Sequence, residues 1–287
     1  MYNPQTLNVL SFNVAGLPLS VGTPFVKERA PLLRKKLAEL YQWGKVDVVL
    51  IQEAWARYFK KNLLRACFPF AVGGNEFTLG SGLMILSRFP ITECEYIPFD
   101  ESPKFPKSNA DGEWLVKKGF YLAQIDHPTL KKVWISNTHL TANYAPFSHS
   151  FEDYRKSQVK QLFEETLKKA GGDPLIIGGD INMGPGKFSM DEIWTQLPGL
   201  YPDLRRVPVD PKVVTYCKKN FYNRSWVDPC QLDHIFHTNH FSSVDYQIMF
   251  QEMGLINEKT AAQLSDHYGL FTQLQIKLKQ LPPPQSI

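Results

Sequence analysis

Short apolar runs rich in β-branched residues recur along the whole 287-residue chain, and they constrain its fold more than any other feature. Clusters of Pro, Gly, Asn and Asp separate these runs, which is typical of β-strands joined by turns. Several runs, such as VDVVLI and LIIGG, are apolar almost throughout, as expected for strands covered on both faces. The predicted strands are Leu7–Asn13, Val46–Gln52, Gly82–Ser87, Phe120–Asp126, Lys132–Thr138, Pro174–Gly179, Gln231–His237, Val244–Phe250 and Tyr268–Ile276.

Two amphipathic helices are predicted among these strands, over Glu28–Trp43 and Phe151–Lys169. Apolar residues at helical spacing form one face of each, with charged residues around much of the rest. A weaker helical pattern runs near Arg57–Ala66. Strands and helices interleave without the even alternation of a barrel, so we expect a mixed α/β protein. No linker divides the pattern, which predicts a single catalytic domain over residues 1–280 and a short Pro-rich tail over 281–287.

Composition narrows the class of protein. With 43% hydrophobic residues, the chain can bury a sizeable core, and its net charge of +4 suits an anionic substrate or a membrane surface without requiring nucleic acid. The four cysteines form no CxxC pair, so we expect reduced thiols and no structural zinc; one long-range disulfide stays open. No basic-then-apolar leader and no apolar run of about 18 residues is present. We therefore expect a soluble monomer, cytoplasmic or exported without a cleavable leader, that reaches lipid from water as a peripheral protein.

Most predicted strands carry a polar residue at one end, where hydrophobic packing gives no reason for it. Strand ends are where an α/β framework brings side chains together in one cleft. Carboxylate and amide oxygens are ligands suited to Mg²⁺, and neutral imidazole acts as a base or a hydrogen-bond donor. The HExxH spacing of catalytic zinc is absent. These residues are Asn13, Glu53, His139, Asp180, Asn182, Asp233, His234, Asp266 and His267.

The strongest single motif is GGDIN at 178–182. Its two glycines allow close backbone approach, and we expect Asp180 and Asn182 to point the same way from an extended chain because they lie two residues apart. Each of the other residues also has a structural explanation, since Asn13 suits a turn and a lone Glu53 suits a solvated surface. Their occurrence together and in one order is what indicates a site.

That order resembles the endonuclease/exonuclease/phosphatase superfamily, the DNase I-like fold. The resemblance covers roughly residues 7–277 and implies a four-layer α/β/β/α sandwich with a cleft at one edge of the paired sheets. The motifs that carry it are NVAGLP, IQE, SGLMILSRFPI, THL, GGDIN, LDHIF and LSDH.

Within the superfamily, the sequence is most similar to neutral sphingomyelinases. Lys118-Gly119 resembles their Lys-Gly motif, THLTANY resembles their His-Leu-x-Ala signature, and Arg155 and Gln158 lie where they carry an Arg…Gln pair. Inositol polyphosphate 5-phosphatases have a Trp-Cys-Asp-Arg stretch that WVDPCQLDHIF does not match. One departure is Asp111, which lies farther from Lys118 than the Asp–Lys switch of animal relatives implies.

The resemblance implies a role for each site residue. Glu53, helped by Asn13, would bind Mg²⁺, for which Mn²⁺ may substitute, and His267 would be the general base. Asp266 or Asp233 would orient the imidazole. Asp180 and Asn182 would position the nucleophile and the phosphate, while His139 and Lys118 would contact the phosphoryl oxygens. Sequence alone leaves open whether one or two metals bind and which histidine is the base.

The implied reaction is hydrolysis of sphingomyelin to ceramide and phosphocholine, and the implied partner is a sphingolipid or phospholipid headgroup at a membrane surface. Long loops are predicted at Phe99–Lys118 and Pro202–Pro229, and long loops are often functional. Choline favours aromatic faces, and the basic-aromatic segment TYCKKNFYNRSW at 215–226 suits an anionic interface. Alternatives on the same fold are a nuclease, another phospholipase C, a phosphatase or a non-catalytic binding module; the Lys-Gly and His-Leu-x-Ala motifs disfavour nucleic acid. Candidate aromatics are Trp114, Tyr144, Phe147, Phe221, Tyr222 and Trp226.

Overall fold

The computed structural model describes residues 3–18, 23–66, 68–73, 80–103, 116, 118–142, 151–184, 190–223 and 229–277. Its helices are α1 (Val26–Gln42), α2 (Arg57–Leu63), α3 (Glu152–Ala170) and α4 (Met190–Leu200). Its strands are β1 (Thr6–Asn13), β2 (Val48–Gln52), β3 (Phe70–Gly73), β4 (Met84–Ser87), β5 (Ile91–Pro98), β6 (Gly119–His127), β7 (Lys131–His139), β8 (Leu175–Asp180), β9 (Leu204–Arg206), β10 (Asp233–Thr238), β11 (Phe241–Met249), β12 (Gly254–Leu255), β13 (Ala261–Ala262) and β14 (Gly269–Ile276).

Two six-stranded mixed sheets form the centre of the fold. The first has the strand order β11-β14-β1-β2-β4-β3, and the second has the order β5-β6-β7-β8-β10-β9. In each sheet a single parallel pair, β1 with β2 and β7 with β8, lies among antiparallel neighbours. Both strands of each parallel pair therefore end at the same edge of their sheet.

Three apolar clusters separate four layers. The middle cluster joins the inner faces of the two sheets, with Leu50 from the first sheet and Ile135 from the second. On the outer face of the first sheet, Leu33 of α1 packs with β1 and β2 residues. On the outer face of the second sheet, Phe163 of α3 packs with Phe120 of β6. The predicted α/β/β/α sandwich is confirmed.

The nine predicted strands and three predicted helices are all present, with bounds shifted by a few residues. The sequence reasoning missed elements that lack a clear apolar pattern. β5 exposes most of its side chains at a sheet edge, and α4 contains Pro198 and Gly199, which disfavour helix interiors. The predicted loop Pro202–Pro229 is wrong in part, because β9 lies within it and pairs with β10. Most of the other predicted loop, Phe99–Lys118, lies outside the described residues.

Among the described residues, Cys94, Cys217 and Cys230 form no disulfide, and Cys67 lies outside these residues. In the part of the chain that the structure describes, no helix is both long and apolar enough to cross a bilayer.

Candidate active site

Strand register brings the polar strand ends to one edge of the two sheets. Asn13, at the end of β1, pairs with Gln52, so Glu53 is the first residue beyond β2. In the second sheet, Asp180 at the end of β8 pairs with His139 on one side and with Asp233 on the other. Facing sheets thus place these residues in one cluster, as the sequence predicted.

Asn13 lies at the centre of the cluster and links two carboxylates. Its Nδ2 donates to Glu53 Oε1 and to Asp180 Oδ2, both at 2.9 Å, and its Oδ1 accepts from the backbone N–H of Ala15 at 3.0 Å. The side chain of Asn13 is fully buried. Its proposed role as a metal ligand stays a prediction; the observed bonds show that it sets the spacing of Glu53 and Asp180.

Two groups of ligand atoms share Asp180. One comprises Glu53, His139 and Asp180, and the other comprises Asp180, Asp233 and His267. Within each group, the ligand atoms all lie within 4.8 Å of one another. Carboxylate oxygens with an imidazole fit a hard divalent cation such as Mg²⁺ or Mn²⁺.

Burial acts on both carboxylates in the same direction. It raises the pKa of Glu53 to about 7 and the pKa of Asp180 to about 6, because a carboxylate removed from water is destabilised. Nearby Asp266 raises the pKa of Glu53 further, whereas the hydrogen bond from Asn13 opposes the shift. A cation between these two carboxylates would relieve the cost of ionising them, which is a second reason why the donor set fits a metal.

His267 is oriented by Asp233. Its Nδ1 lies 3.0 Å from Asp233 Oδ2, and its Nε2 lies 3.6 Å from Asp180 Oδ2. Burial alone would lower the pKa of His267, but Asp233 and Asp180 together raise it to about 10. The carboxylate of Asp266 is engaged elsewhere, by the hydroxyls of Thr23 and Ser265. Of the two acids that the sequence offered as partners of the imidazole, Asp233 is therefore the one in contact.

His139 has the opposite electrostatic environment. Its Nε2 lies 3.6 Å from Asp180 Oδ2 and 3.8 Å from Glu53 Oε1, beyond hydrogen-bonding distance. Burial, with Lys118 and His267 nearby, holds the pKa of His139 well below its usual range. Its buried Nδ1 has no hydrogen-bond partner among the described residues. His139 is therefore a neutral imidazole with an unused polar atom.

Lys118 and Asn182 meet at one carbonyl oxygen. Lys118 Nζ donates to Leu140 O at 3.1 Å, and Asn182 Nδ2 donates to the same oxygen at 3.0 Å.

The expectation that Asp180 and Asn182 extend from a straight strand is wrong, because Asn182 has a φ of 54° and its N–H turns back to Asp180 Oδ1 at 2.9 Å. Glu53 also has a positive φ, 59°. Non-glycine residues in this region often mark functional sites.

The glycines of GGDIN do allow a close approach. A Cβ on Gly179 would lie 2.0 Å from Thr138 O, and one on Gly178 would lie 2.6 Å from Leu50 Cδ1 in the facing sheet. The first contact lets β8 lie against β7 and carry Asp180 to the site, and the second lets the two sheets approach each other.

Two residues of the site were missed as individual positions. The hydroxyl of Thr215 accepts the backbone N–H groups of Leu232 and Asp233 at 3.0 and 3.2 Å, and the ring of Tyr216 lies 4.9 Å from that of His267. Both belong to the segment at 215–226, which was singled out only for its basic and aromatic composition. A threonine before an aromatic residue carries no motif that could have separated it from its neighbours.

The candidate headgroup aromatics are only partly placed. Phe221 is 48% exposed, and Tyr222 donates its hydroxyl to Gln263 O. Outside the described residues lie Trp114, Tyr144, Phe147 and Trp226, as does Asp111.

The family model for the Endonuclease/Exonuclease/phosphatase family matches residues 8–267. Among curated proteins, the chain is 27% identical to the inositol phosphosphingolipids phospholipase C of Schizosaccharomyces pombe, covering 96% of this chain and 70% of that protein. It is 26% identical to a putative neutral sphingomyelinase of Drosophila melanogaster, covering 96% of this chain and 62% of that protein. The chain thus spans somewhat over three fifths of the length of these relatives.

Solved structures share the fold. A beta toxin mutant from Staphylococcus aureus with bound magnesium ions superposes with a TM-score of 0.72 at 20% identity, covering 94% of this chain and 99% of that one. TDP2 of D. rerio, complexed with a single-strand DNA product, superposes with a TM-score of 0.70 at 21% identity, with the same coverage. At this identity the likeness establishes the architecture.

Proposed function

Because this chain belongs to the endonuclease/exonuclease/phosphatase family, we propose that it is a Mg²⁺-dependent phosphodiesterase that hydrolyses sphingomyelin to ceramide and phosphocholine. The observation that carries the reaction type is the convergence of Glu53, His139, Asp233 and His267 on the buried carboxylate of Asp180. Metal-assisted attack of water on a phosphodiester requires carboxylates and imidazoles close to one metal-binding site.

Glu53 and Asp180 would hold the cation, with Asn13 fixing their spacing. When bound, a divalent cation supplies positive charge that offsets the charge on the phosphoryl oxygens. His267, held by Asp233, takes the proton of the attacking water at Nε2, for which it must be neutral. The water oxygen bonds to phosphorus, the bond from phosphorus to the ceramide oxygen breaks, and the ceramide oxygen takes a proton from solvent. Asp233 and Asp180 favour the protonated ring in the metal-free protein, and a cation held by Glu53 and Asp180 would supply positive charge that opposes this protonation.

The remaining groups bind the phosphate. Neutral His139 contributes a hydrogen bond rather than a charge to a phosphoryl oxygen, because its pKa lies well below the usual range. Lys118, only 3% exposed beside Leu140, contributes positive charge from the other side of β7. Asn182 positions the phosphate through its amide.

The choice of substrate is supported by the two curated relatives. Their names specify a sphingomyelinase and a phospholipase C for inositol phosphosphingolipids, which share a phosphodiester. We propose sphingomyelin first because Lys118-Gly119 and THLTA resemble sphingomyelinase motifs and because aromatic residues near the site suit a quaternary ammonium group. The phosphoinositol headgroup is the second candidate, on the strength of the S. pombe relative.

Access to lipid is supported by exposed residues near the site. Lys218 and Lys219 are exposed next to Phe221, and Met253 and Leu255 are 55% and 71% exposed on the hairpin β12–β13. Gln263 connects the two regions, since its Oε1 accepts Phe221 N–H and its Nε2 donates to Gln251 O. Basic and apolar side chains together favour reversible binding to an anionic lipid surface.

A substrate panel at equal enzyme and saturating Mg²⁺ tests this proposal. It compares sphingomyelin, inositol phosphosphingolipid, phosphatidylcholine, lysolipids, inositol phosphates and plasmid DNA, with Asp180→Asn as the inactive control. We expect phosphocholine release from sphingomyelin in detergent micelles. Faster release of phosphoinositol would correct the headgroup, and efficient DNA nicking with no lipid cleavage would replace the proposal with a nuclease.

A further inference from the structure

Arg29, in the first turns of α1, is a fully buried cation that binds only backbone oxygens. No carboxylate of the described residues lies within ion-pairing distance of it. Its guanidinium instead donates to five carbonyl groups, with distances between 2.7 and 3.3 Å. The acceptors are Val14 O, Ala15 O, Thr23 O, Pro24 O and Leu264 O.

A buried guanidinium without an ion pair is costly, so its environment must compensate. Here the carbonyl dipoles do so together with two aromatic rings, because the guanidinium carbon lies 5.2 Å from the ring centroid of Phe59 and 5.4 Å from that of Tyr222. A planar guanidinium has five N–H groups and can serve all five acceptors at once, whereas an ammonium group has only three N–H donors.

The acceptors flank both sides of the proposed active site. Val14 and Ala15 directly follow Asn13, and the N–H of Ala15 is the group that fixes Asn13 Oδ1. Leu264 precedes the segment Ser265–His267, which also contacts β1 because Ser265 Oγ donates to Asn13 O at 2.7 Å. Arg29 is thus bonded to the chain immediately after Asn13 and immediately before the Ser-Asp-His segment.

The segment after Asn13 also borders Glu53. Val14 N–H donates to Gln52 O at 3.0 Å and Gly16 N–H donates to Glu53 O at 2.9 Å. A shift of residues 14–16 would therefore move both Asn13 and Glu53. Neither segment that Arg29 joins is part of a helix or strand of its own, so no ladder of hydrogen bonds replaces these contacts.

We propose that Arg29 is a positioning residue, which holds the Asn13 segment and the Ser265–His267 segment in the mutual register that the proposed function requires. The proposal rests on that function for its kinetic consequence but not for its structural one. Loss of the fork should loosen both segments and misplace the cation-binding carboxylates relative to His267, without removing any group that touches substrate.

Arg88 is a matched control for Arg29, since it also packs between α1 and the first sheet but near the start of β2. Its Nη2 donates to Tyr41 O and Val46 O at 2.7 and 3.2 Å, and its Nε donates to Asp47 Oδ1 at 2.7 Å. The ring of Tyr41 covers it at 4.1 Å. Like Arg29 it joins α1 to the first sheet through carbonyl oxygens, but it lies beside the start of β2 rather than the end.

The test compares Arg29→Lys, Arg29→Met and Arg88→Met by amide hydrogen exchange and by kcat and KM for phosphodiester hydrolysis. Both Arg29 variants should speed exchange at residues 14–16 and 264–267 and lower kcat about 10- to 100-fold with little change in KM, the range seen when supporting groups of a site are lost. Arg88→Met should lower Tm by a similar amount but keep kcat within about twofold. The reason is that Arg88 contacts neither residues 14–16 nor residues 264–267, and distant sites rarely affect each other.

Arg29→Lys that matches the wild type in both exchange and kcat would overturn the proposal. So would an Arg88→Met variant that lowers kcat as much as Arg29→Met at equal loss of Tm, because the effect would then be general destabilisation. If the wild-type protein cleaves no phosphodiester, the proposed function fails, and the exchange pattern alone still decides whether Arg29 joins the two segments.

Discussion

The two histidines of the candidate site lie on opposite sides of one carboxylate and have opposite protonation behaviour. His139 Nε2 and His267 Nε2 are each 3.6 Å from Asp180 Oδ2, and both residues are buried. Asp233 contacts Nδ1 of His267 at 3.0 Å, whereas Nδ1 of His139 has no partner among the described residues. The pKa of His267 rises to about 10 and that of His139 falls well below its usual range.

Burial acts the same way on both rings, so it cannot explain the difference. It disfavours the charged imidazole in each case. Asp233 and Asp180 reverse the outcome for His267, whereas Lys118 and His267 lower the pKa of His139 further. In the metal-free protein, His267 therefore holds a proton and His139 is neutral. The contact that distinguishes the two rings is the one between Asp233 and His267 Nδ1, because Asp180 faces both of them.

Replacing the shared carboxylate should have the largest effect. Asp180→Asn removes the group that both histidines face and that Asn13 links to Glu53. We expect kcat to fall by on the order of 10⁴-fold or more, as when a central group of a catalytic set is lost. Circular dichroism should show an unchanged fold. A loss below about tenfold would mean that the two sides do not depend on Asp180.

The two histidines should differ in their pH profiles. At saturating Mg²⁺, His267→Ala and His139→Ala should each lower kcat about 10²- to 10⁴-fold, the usual range for a positioned acid or base. A base acts when neutral, so activity rises with pH through its pKa. The acidic limb should vanish in His267→Ala and persist in His139→Ala.

The reverse pattern, a limb lost only in His139→Ala, would exchange the two roles. Glutamine variants supply the matched control. His139→Gln keeps a neutral donor and should retain more activity than His267→Gln, which cannot take a proton.

Removing the contact between Asp233 and His267 should have a smaller effect. Asp233→Asn keeps the shape of the side chain but loses the charge beside His267 Nδ1. We expect kcat to fall about 10- to 100-fold, as for other groups that orient a functional imidazole. The pKa of His267, followed by NMR, should move towards that of an ordinary histidine. An unchanged pKa would show that Asp233 does not set the protonation state.

The pH dependence of metal binding requires no substitution, and it tests the raised pKa values of the two carboxyls. In the metal-free protein, the pKa is about 7 for Glu53 and about 6 for Asp180. Both carboxyls therefore keep protons at pH values where the unfolded chain has already released them. The free energy of unfolding falls as the pH rises through 6 and 7. The raised pKa of His267 adds in the same direction, since its stabilisation is full below about 6.5 and lost towards 10.

Mg²⁺ must displace those carboxyl protons. Its affinity should therefore rise by up to about tenfold per pH unit for each proton displaced, between pH 5 and 7. Titration calorimetry at several pH values measures this slope, and the gain in Tm on adding Mg²⁺ should be larger at pH 8 than at pH 6. Equal affinity across the range would contradict the raised carboxyl pKa values.

The fold could be predicted where buried strands leave a regular apolar pattern in the sequence. β1, β2 and β8 lie between two layers and are apolar on both faces, so their position and even their ends were clear. β5 and β9 lie at sheet edges or depend on a single neighbour, and their composition does not differ from that of a loop. Tertiary pairing, not local sequence, makes them strands.

The membership of the site was predictable, but its contacts were not. Glu53, His139, Asp180, Asp233 and His267 all come together, because strand ends converge at one sheet edge. Which acid faces His267 depends on the turn at Ser265, whose hydroxyl engages Asp266, and no spacing rule contains that information. The role of Arg29 could not be predicted either, because its acceptors are backbone oxygens and any residue type can supply one.

The Mg²⁺ dependence of phosphodiester turnover, measured after complete removal of metal with EDTA, decides whether the site works through a bound cation. We expect no turnover in metal-free buffer, recovery on adding Mg²⁺ or Mn²⁺, and a folded Glu53→Gln variant that needs far more metal and remains slow. Full turnover in metal-free buffer, or a Glu53→Gln variant with wild-type metal affinity and rate, would contradict a cation held between Glu53 and Asp180.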